Sequence, residues 1–140
     1  MSQALTRADE VAKVSTGKSL TIDLNNFTLS ATSSATGKNY NMIDVYGTLT
    51  VKNGNLEYKH TGDNMVWNNY AEIFHVGENG VLNLDGVTAK NLGGSNMAYV
   101  VDLTNAKNIT VNIENSTLES TYIPVRVFNN MENGVNNVTT

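Results

Sequence analysis

The stretch Met42–Tyr58, with the sequence MIDVYGTLTVKNGNLEY, decides the fold of this chain. Apolar and polar residues alternate along it, and the alternation breaks at Tyr46-Gly47 and again at Asn53-Gly54 before it resumes. Alternation with a period of two is typical of a β-strand with one buried face. Three short strands within 17 residues leave too little room for the hairpins of ordinary sheets, so another arrangement of strands is required.

The composition of the 140-residue chain narrows the classes of protein to consider. Its length and its 40% apolar content suit one domain with its own core, and the absence of cysteine excludes disulfides and thiolate metal sites. The net charge of −4 is scattered, so the chain lacks the basic stripe that nucleic acid requires. A bias towards Asn, Thr and Gly suits many strands joined by tight turns.

The N-terminal segment MSQALTRADEVAKV carries acids and lacks an apolar run. It therefore resembles neither a secretory signal nor a membrane span, and we expect a chain that starts in the cytoplasm without membrane insertion. Residues 1–9 are expected to form a short helical cap, with Thr6 as N-cap and Asp9 in the first turn. Such a cap would cover the unpaired edge of the first strand, and residues 10–140 would form the main domain.

The alternation of the opening stretch recurs along the chain. Segments that begin at Glu10, Tyr40, Ala71, Ala98 and Thr121 align with their alternating residues in step, and the last copy is incomplete. Differences in length fall mainly in the loop after the third strand of a copy. When each strand is stacked about 4.8 Å from the corresponding strand of the next copy, a longer loop leaves the hydrogen bonds between the strands intact. The repeat therefore predicts a parallel β-helix of about five coils.

The first strand of each copy sends aliphatic pairs to one face and one polar residue to the other. The pairs predicted to point inward are Ala12/Val14, Ile43/Val45, Phe74/Val76, Val101/Leu103 and Val125/Val127. The polar residues between them, which we call the polar column, are Lys13, Asp44, His75, Asp102 and Arg126. The second strand of each copy shows the same alternation, and its residues predicted to point inward are Leu20/Ile22, Leu49/Val51, Leu82/Leu84 and Ile109/Val111.

The phrases IDLNNFTLS, GTLTVKNGNLEY and GVLNLDGVTAKN resemble the right-handed, pectate-lyase-like β-helix superfamily across roughly residues 10 to 140. The resemblance implies an all-β fold, a right-handed single-stranded parallel β-helix. An antiparallel sandwich is the competing fold, since it also uses short strands with Gly and Asn turns. Three phases of alternation that stay aligned over successive copies favour the β-helix.

The polar column has two interpretations. Polysaccharide-cleaving members of the superfamily carry acids and basic groups on such a face, as an acid and base pair in hydrolases or as a basic residue with calcium in lyases. The hydrolase phrases Asn-Thr-Asp, Asp-Asp and Gly-His-Gly do not occur here, and no acidic cluster resembles the calcium site. We therefore favour a structural ladder of opposite charges, with no catalytic residue, metal or cofactor. A raised pKa of His75, which lies between two acids, follows from this stacking.

The longest loop, KHTGDNMVWNNY, contains the only tryptophan of the chain. Aromatic rings beside amides and carboxylates suit the apolar face and hydroxyl rim of a sugar, and they equally suit a protein interface. The candidate contact residues for a glycan or another subunit are His60, Asp63, Trp67, Asn68 and Tyr70.

Two classes of function follow from the sequence. The first is a non-catalytic structural or attachment module, because β-helices without a catalytic set resemble phage virion components (head decorations, fibres and tail spikes) and bacterial surface adhesins. The cytosolic start, the lack of cysteine and the incomplete last coil favour the virion. Its expected partners are other protein subunits, as in a homo-oligomer such as a trimer, and a cell-surface polysaccharide. The second class is a polysaccharide lyase or hydrolase that uses the polar column.

Overall fold

A computed structural model of the chain describes residues 3–6, 12–34, 40–61, 71–93, 97–103 and 106–128. These residues form twelve strands: β1 (Gln3–Thr6), β2 (Ala12–Val14), β3 (Ser19–Asp23), β4 (Thr28–Ser33), β5 (Tyr40–Val45), β6 (Thr48–His60), β7 (Ala71–Val76), β8 (Val81–Asn91), β9 (Ala98–Asp102), β10 (Thr110–Glu114), β11 (Thr117–Ser120) and β12 (Ile123–Arg126). Among these described elements there is no helix with the length and apolar character needed to cross a membrane.

The strands lie in two parallel sheets. One sheet has the order β12-β9-β7-β5-β2, and the other has the order β1-β4-β6-β8-β10, with β3 also on β6 and β11 also on β8. The chain passes from one sheet to the other and returns one rung further along, so the fold is a parallel β-solenoid of about three turns. The all-β parallel architecture predicted from the sequence is confirmed, and the antiparallel sandwich is excluded for the described strands.

The predicted five coils and the predicted helical cap are wrong. The solenoid has about three turns, and β12 is the only described strand of the last copy. In place of the cap, Gln3–Thr6 forms β1, which pairs parallel with β4 from Gln3↔Leu29 to Thr6↔Thr32. A strand satisfies the exposed edge of β4 with a ladder of hydrogen bonds, whereas a nine-residue helix is too short to be stable alone. Residues 1, 2 and 7–9 of the predicted cap lie outside the described residues.

Aliphatic side chains from both sheets fill the interior. The predicted inward residues of the middle copies are buried, with at most 4% of the residue exposed: Ile43, Val45, Leu49, Val51, Phe74, Val76, Leu82, Leu84, Val101 and Leu103. In the outermost copies the prediction holds for Val14, which is 4% exposed, and fails for Leu20 and Val127, which are 47% and 52% exposed. Among the described strands, β3 pairs only with β6 and β12 pairs only with β9, so one side of each has no covering rung.

Strand β10 is displaced by two residues from the predicted register. The sequence alignment set Ile109 and Val111 beside Leu82 and Leu84, whereas the structure pairs Val111 with Leu82 and Ile113 with Leu84. A shift of two residues keeps every side chain on its own face, so the alternation alone cannot distinguish the registers. Asparagine supplies the missing information: Asn112 Nδ2 donates to Asn83 Oδ1 (2.7 Å), and Asn83 Nδ2 donates to Thr50 Oγ1 (3.2 Å).

Asparagines form many of the tight turns between strands. Positive φ angles occur at Asn25, Asn26, Asn53, Asn79, Asn108 and Asn115. Asparagine enters this left-handed region at lower cost than most residues, because its short polar side chain bonds locally. These turns stack as well, since Asn108 Nδ2 donates to Asn79 Oδ1 (3.3 Å) and Asn115 Nδ2 donates to Asp85 Oδ1 (3.2 Å). The high asparagine content therefore serves both the turns and their alignment.

Candidate functional site

The residues of the polar column lie on neighbouring strands of the five-stranded sheet. The aligned pairs are Lys13↔Asp44, Asp44↔His75, His75↔Asp102 and Asp102↔Arg126. These pairs follow the alignment of the sequence repeats. The column is not uniformly exposed, since Asp102 is only 1% exposed and the side chain of His75 is 24% exposed. Its inner half is therefore a buried ionic site.

Arg126 and Asp102 form the strongest pair of this site. Arg126 Nε donates to Asp102 Oδ1 (2.8 Å) and Nη2 donates to Asp102 Oδ2 (2.6 Å). Two parallel charge-assisted hydrogen bonds of this length are stronger and more directional than a single ionic contact. Arg126 Nη1 also donates to the hydroxyl of Tyr99 (3.2 Å), and the guanidinium carbon lies 4.2 Å from the centre of the Tyr99 ring. Arg126 thus fastens the last strand, β12, to β9.

Glu72 is a further member of the site that the sequence interpretation missed. Its side chain is 1% exposed, and its Oε1 lies 4.0 Å from Nη2 of Arg126. Its Oε2 lies 3.3 Å from Nδ1 of His75, which is within ion-pair distance but without the geometry of a good hydrogen bond. Nδ1 of His75 lies 4.0 Å from Oδ2 of Asp102. We refer to Glu72, His75, Asp102 and Arg126 together as the ionic cluster.

Glu72 was missed because strict alternation sends residues three apart to opposite faces. In β7, however, Glu72 contacts His75, and in the neighbouring β5 Asn41 Nδ2 donates to Asp44 Oδ1 (2.6 Å) with the same spacing. Between them, Ile73 and Phe74 are consecutive and both fully buried. The available signal was this apolar doublet, which recurs as Met42-Ile43 and Val100-Val101 at the aligned positions of the neighbouring copies.

Burial changes the proton affinity of the cluster. It raises the pKa of Glu72 to about 8, and the negative charge of Asp102 acts in the same direction while His75 opposes it. Burial alone would lower the pKa of His75, but Glu72, Asp102 and Asp44 together outweigh it and hold that pKa above its ordinary value. The direction agrees with the expectation from the sequence. At neutral pH, Glu72 therefore stays protonated to a far greater extent than an exposed carboxyl group.

The cluster also offers three atoms that suit a metal ion. One ligand atom each from Glu72, His75 and Asp102 lies within 4.8 Å of the other two, and two carboxylates with an imidazole are a common donor set for divalent metals. Both oxygens of Asp102 already accept hydrogen bonds from Arg126, however, so the guanidinium supplies the positive charge at this point. The donor arrangement fits an ion-pair cluster better than a metal centre.

Tyr46 and Lys13 border the solvent side of the cluster. The ring of Tyr46 lies 6.3 Å from that of His75, and Nζ of Lys13 lies 4.6 Å from the centre of the Tyr46 ring. His75 has the largest exposed fraction in the cluster, 24% of its side chain against 13% for Arg126. Any small solute would therefore reach the cluster past His75.

His60 is the candidate contact residue that the structure describes. The sequence interpretation placed it in a loop, whereas β6 continues through it because His60 pairs with Ser33 of β4. Its ring stacks on Tyr40 with 5.1 Å between the ring centres, and the residue is 6% exposed, so burial lowers its pKa. A side chain packed in this way braces two coils and presents little surface to a ligand. The other candidates, Asp63, Trp67, Asn68 and Tyr70, lie outside the described residues.

Comparisons of the chain with protein-family models, with curated proteins and with solved structures found no match. The likeness to pectate-lyase-like β-helices therefore rests on the pattern of coils alone. A fold of this kind supports many functions, so the function has to be argued from the residues of the site.

Proposed function

We propose that this chain is a non-catalytic structural or attachment module, built as a right-handed β-helix of the pectate-lyase-like kind. The observation that carries the proposal is the burial of the ionic cluster. Glu72 and Asp102 are each 1% exposed, and both oxygens of Asp102 are engaged by Arg126. A catalytic carboxyl group has to reach the reacting atoms of its substrate, and these two are enclosed by the protein itself.

A structural role explains the same residues without a substrate. The opposite charges of the polar column alternate along successive rungs, so a slip by one rung would bring like charges together. Each exposed cross-strand pair contributes roughly 0.2 to 1 kcal/mol, whereas the buried pair of Asp102 and Arg126 is much more costly to break. The column therefore sets the register of the coils and stiffens the rod.

A virion is the setting we propose for this rod, as part of a head decoration, fibre or tail spike. The support is the resemblance in pattern to virion β-helices that lack a catalytic set. A bacterial surface adhesin is the alternative owner. In either setting, the proposed partners are other protein subunits and a cell-surface polysaccharide.

The oligomeric state tests the proposed assembly. Light scattering combined with size-exclusion chromatography should give a defined oligomer, a trimer in the case of a fibre or spike. A monomer at every concentration up to the solubility limit would contradict the homo-oligomer. Binding to purified surface polysaccharides, measured with Trp67→Ala beside the unchanged protein, then tests the glycan contact separately.

A polysaccharide-degrading enzyme is the second candidate, and one observation favours it. A carboxyl group whose pKa is raised to about 8 stays protonated at neutral pH, as a general acid must. Release of reducing ends or unsaturated sugars from a panel of polysaccharides is the direct assay. Turnover that Glu72→Gln and Asp102→Asn abolish, and that the exposed control Glu78→Gln retains, would establish the enzyme and refute the structural proposal.

A further inference from the structure

Strand β10 has one edge that no other described strand covers. Among the described strands, it pairs only with β8. Successive backbone amides of a strand point to opposite edges, and that of Thr110 donates to the carbonyl of Gly80 on the β8 side (3.0 Å). The amides of Val111 and Ile113 therefore point to the free edge. Such an edge is a template for a further strand.

Two columns of asparagine side chains lead to this edge. In the turns before the strands, Asn108 Nδ2 donates to Asn79 Oδ1 (3.3 Å), and both backbones are left-handed, with φ angles of 54° and 62°. Within the strands, Asn112 Nδ2 donates to Asn83 Oδ1 (2.7 Å). On both rungs the turn asparagine precedes the strand asparagine by four residues. A segment with asparagines at this spacing would extend both columns by one rung.

Residues 132–138 provide such a segment. They read ENGVNNV, and residues 78–84, which contain the first asparagine of each column, read ENGVLNL. The match sets Asn133 and Asn137 four residues apart, as in the two columns. Residues 132–138 lie outside the described residues, and the edge of β10 is the surface that their pattern matches.

The charges and apolar residues of the segment are complementary to the edge. The alignment sets Glu132 beside Lys107, and opposite charges on neighbouring strands stabilise their pairing. It also sets Val138 beside Ile113, which packs on the core and is only partly buried. Asn136 is the one polar residue that the alignment sets in the inward column. An end rung tolerates a polar residue there, because its inward side chains have a neighbouring rung on one side only.

The connection to this segment has the required length. Asp102 and Arg126 are aligned on neighbouring rungs of the other sheet. Five residues separate Asp102 from the turn residue Asn108, and six separate Arg126 from Asn133. The chain after Arg126 can therefore cross to the other sheet by a path one residue longer than that of the preceding rung.

We propose that residues 135–139 add to the free edge of β10 as a parallel strand. The turn before this strand sets Asn133 beside Asn108, and the strand sets Asn137 beside Asn112. The occupant of the edge is then a segment of the same chain, which closes the edge to strands from other molecules. This inference concerns the edge of one sheet and does not depend on the proposed function.

Hydrogen exchange at the amides of Val111 and Ile113, measured by NMR on the whole chain, tests whether the edge is covered. Both amides should exchange at least about tenfold more slowly than their intrinsic rates, and the amide of Thr110 on the β8 side is the internal reference. Exchange of Val111 and Ile113 at the intrinsic rates, with Thr110 protected, would overturn the proposal. Protection that increases with protein concentration would also overturn it, because a second molecule would then cover the edge.

Val138→Asp and Val135→Asp form a matched pair of variants. Val138 faces inward in the proposed strand and Val135 faces outward, so only Val138→Asp brings a charge to the interior. The protection of Ile113 should fall at least about tenfold in Val138→Asp and stay within about threefold of the original in Val135→Asp. Unchanged protection in Val138→Asp would show that another segment covers the edge, contrary to the proposal.

A pair of introduced cysteines tests the register, since the chain has none of its own. Neighbouring strands lie about 4.8 Å apart, within the Cα separation that a disulfide spans. Asn112→Cys with Asn137→Cys should form a disulfide within one molecule, whereas Asn112→Cys with Asn136→Cys, on opposite faces, should not. Gel electrophoresis without reductant separates the products. A disulfide that joins two molecules, or equal yields from both pairs, would refute the proposed strand.

Discussion

Glu72 lies between His75 and Arg126, and each of these neighbours also faces Asp102. A carboxyl group that the fold buries to this degree gives up its hydration, and the protein compensates by keeping it protonated beyond the usual range. The folded chain therefore binds a proton that the unfolded chain releases. This difference links a single side chain to the stability of the whole protein.

The stability of the protein should depend on pH through Glu72. Its pKa is raised from 4.5 to about 8 on folding, so its contribution is fully present below about 4.5 and is lost as the pH rises through about 8. The free energy of unfolding should therefore fall by on the order of a few kcal/mol over this window. Urea unfolding at a series of pH values, with Glu72→Gln, should show a flatter curve, and Glu78→Gln should follow the unchanged protein.

The ion pair of Asp102 and Arg126 should be worth far more than an exposed pair. Asp102→Asn leaves a buried guanidinium without its carboxylate, and we expect a loss of about 3 to 5 kcal/mol in the free energy of unfolding. Lys90 and Glu119 form the matched comparison, 3.1 Å apart with side chains 36% and 54% exposed. Glu119→Gln should cost at most about 1 kcal/mol by the same chemical denaturation. Equal losses would mean that the buried pair has no special role.

At the scale of elements, strands β6 and β8 each pass through a turn, and their residues pair with each other on both sides of it. Asn53 and Gly86 occupy this turn in the two strands, with φ angles of 57° and 64°, and Asn115 takes the same place between β10 and β11 with 48°. The left-handed backbone favours glycine or asparagine there. The backbone therefore turns at the same aligned position on three successive rungs.

Gly86→Asn should be tolerated, since its neighbours on both rungs are asparagines with the same backbone conformation. Asn53 and Asn115 donate to an aspartate on the preceding rung, whereas the corresponding residue for position 86 is Lys52, so no new hydrogen bond is expected. The free energy of unfolding should stay within about 1 kcal/mol of the original. Gly86→Val, which forces a β-branched residue into the same conformation, should cost about 1 to 2 kcal/mol or more. Thermal unfolding of both variants gives the comparison.

At the scale of the whole molecule, stability is concentrated in the middle of the rod. Each rung is covered by the next, so the apolar residues of the middle rungs are the most completely buried. Leu20 and Leu49 are aligned on adjacent rungs of one column, yet Leu20 is 47% exposed and Leu49 is fully buried. Position along the axis, and not residue type, therefore decides how much each leucine contributes.

The matched variants Leu49→Ala and Leu20→Ala test this distribution. Leu49→Ala opens a cavity in a packed interior and should cost about 2 to 5 kcal/mol. Leu20→Ala removes a half-exposed side chain and should cost less than about 1 kcal/mol. Urea denaturation midpoints, analysed with one common m-value, give the change in the free energy of unfolding for each variant. Similar losses would indicate that Leu20 is covered in solution.

Much of this architecture could be predicted from the sequence, because a period of two fixes which face each side chain takes. The column from Lys13 to Arg126 follows from that rule together with the spacing of the repeats. The register of β10 could not be predicted, since a shift of two residues preserves the apolar face and the registers differ only in polar contacts such as that between Asn112 and Asn83. Glu72 was not predicted because the apolar doublet of Ile73 and Phe74 interrupts the period of two. Strand β1 was not predicted because its pairing with β4 outweighs the helix-capping residues of the N-terminal segment.

The polar column begins with Lys13 on β2 and ends with Arg126 on β12. If a second copy continued the sheet beyond β12 in the same register, its own Lys13 would come to rest on Arg126, and two cations directly opposite each other on paired strands repel. Like charges on β2 and β12 would therefore oppose head-to-tail growth through this sheet. Filament formation in concentrated solution should therefore appear only after Lys13→Glu, which gives the two end strands of this sheet opposite charges.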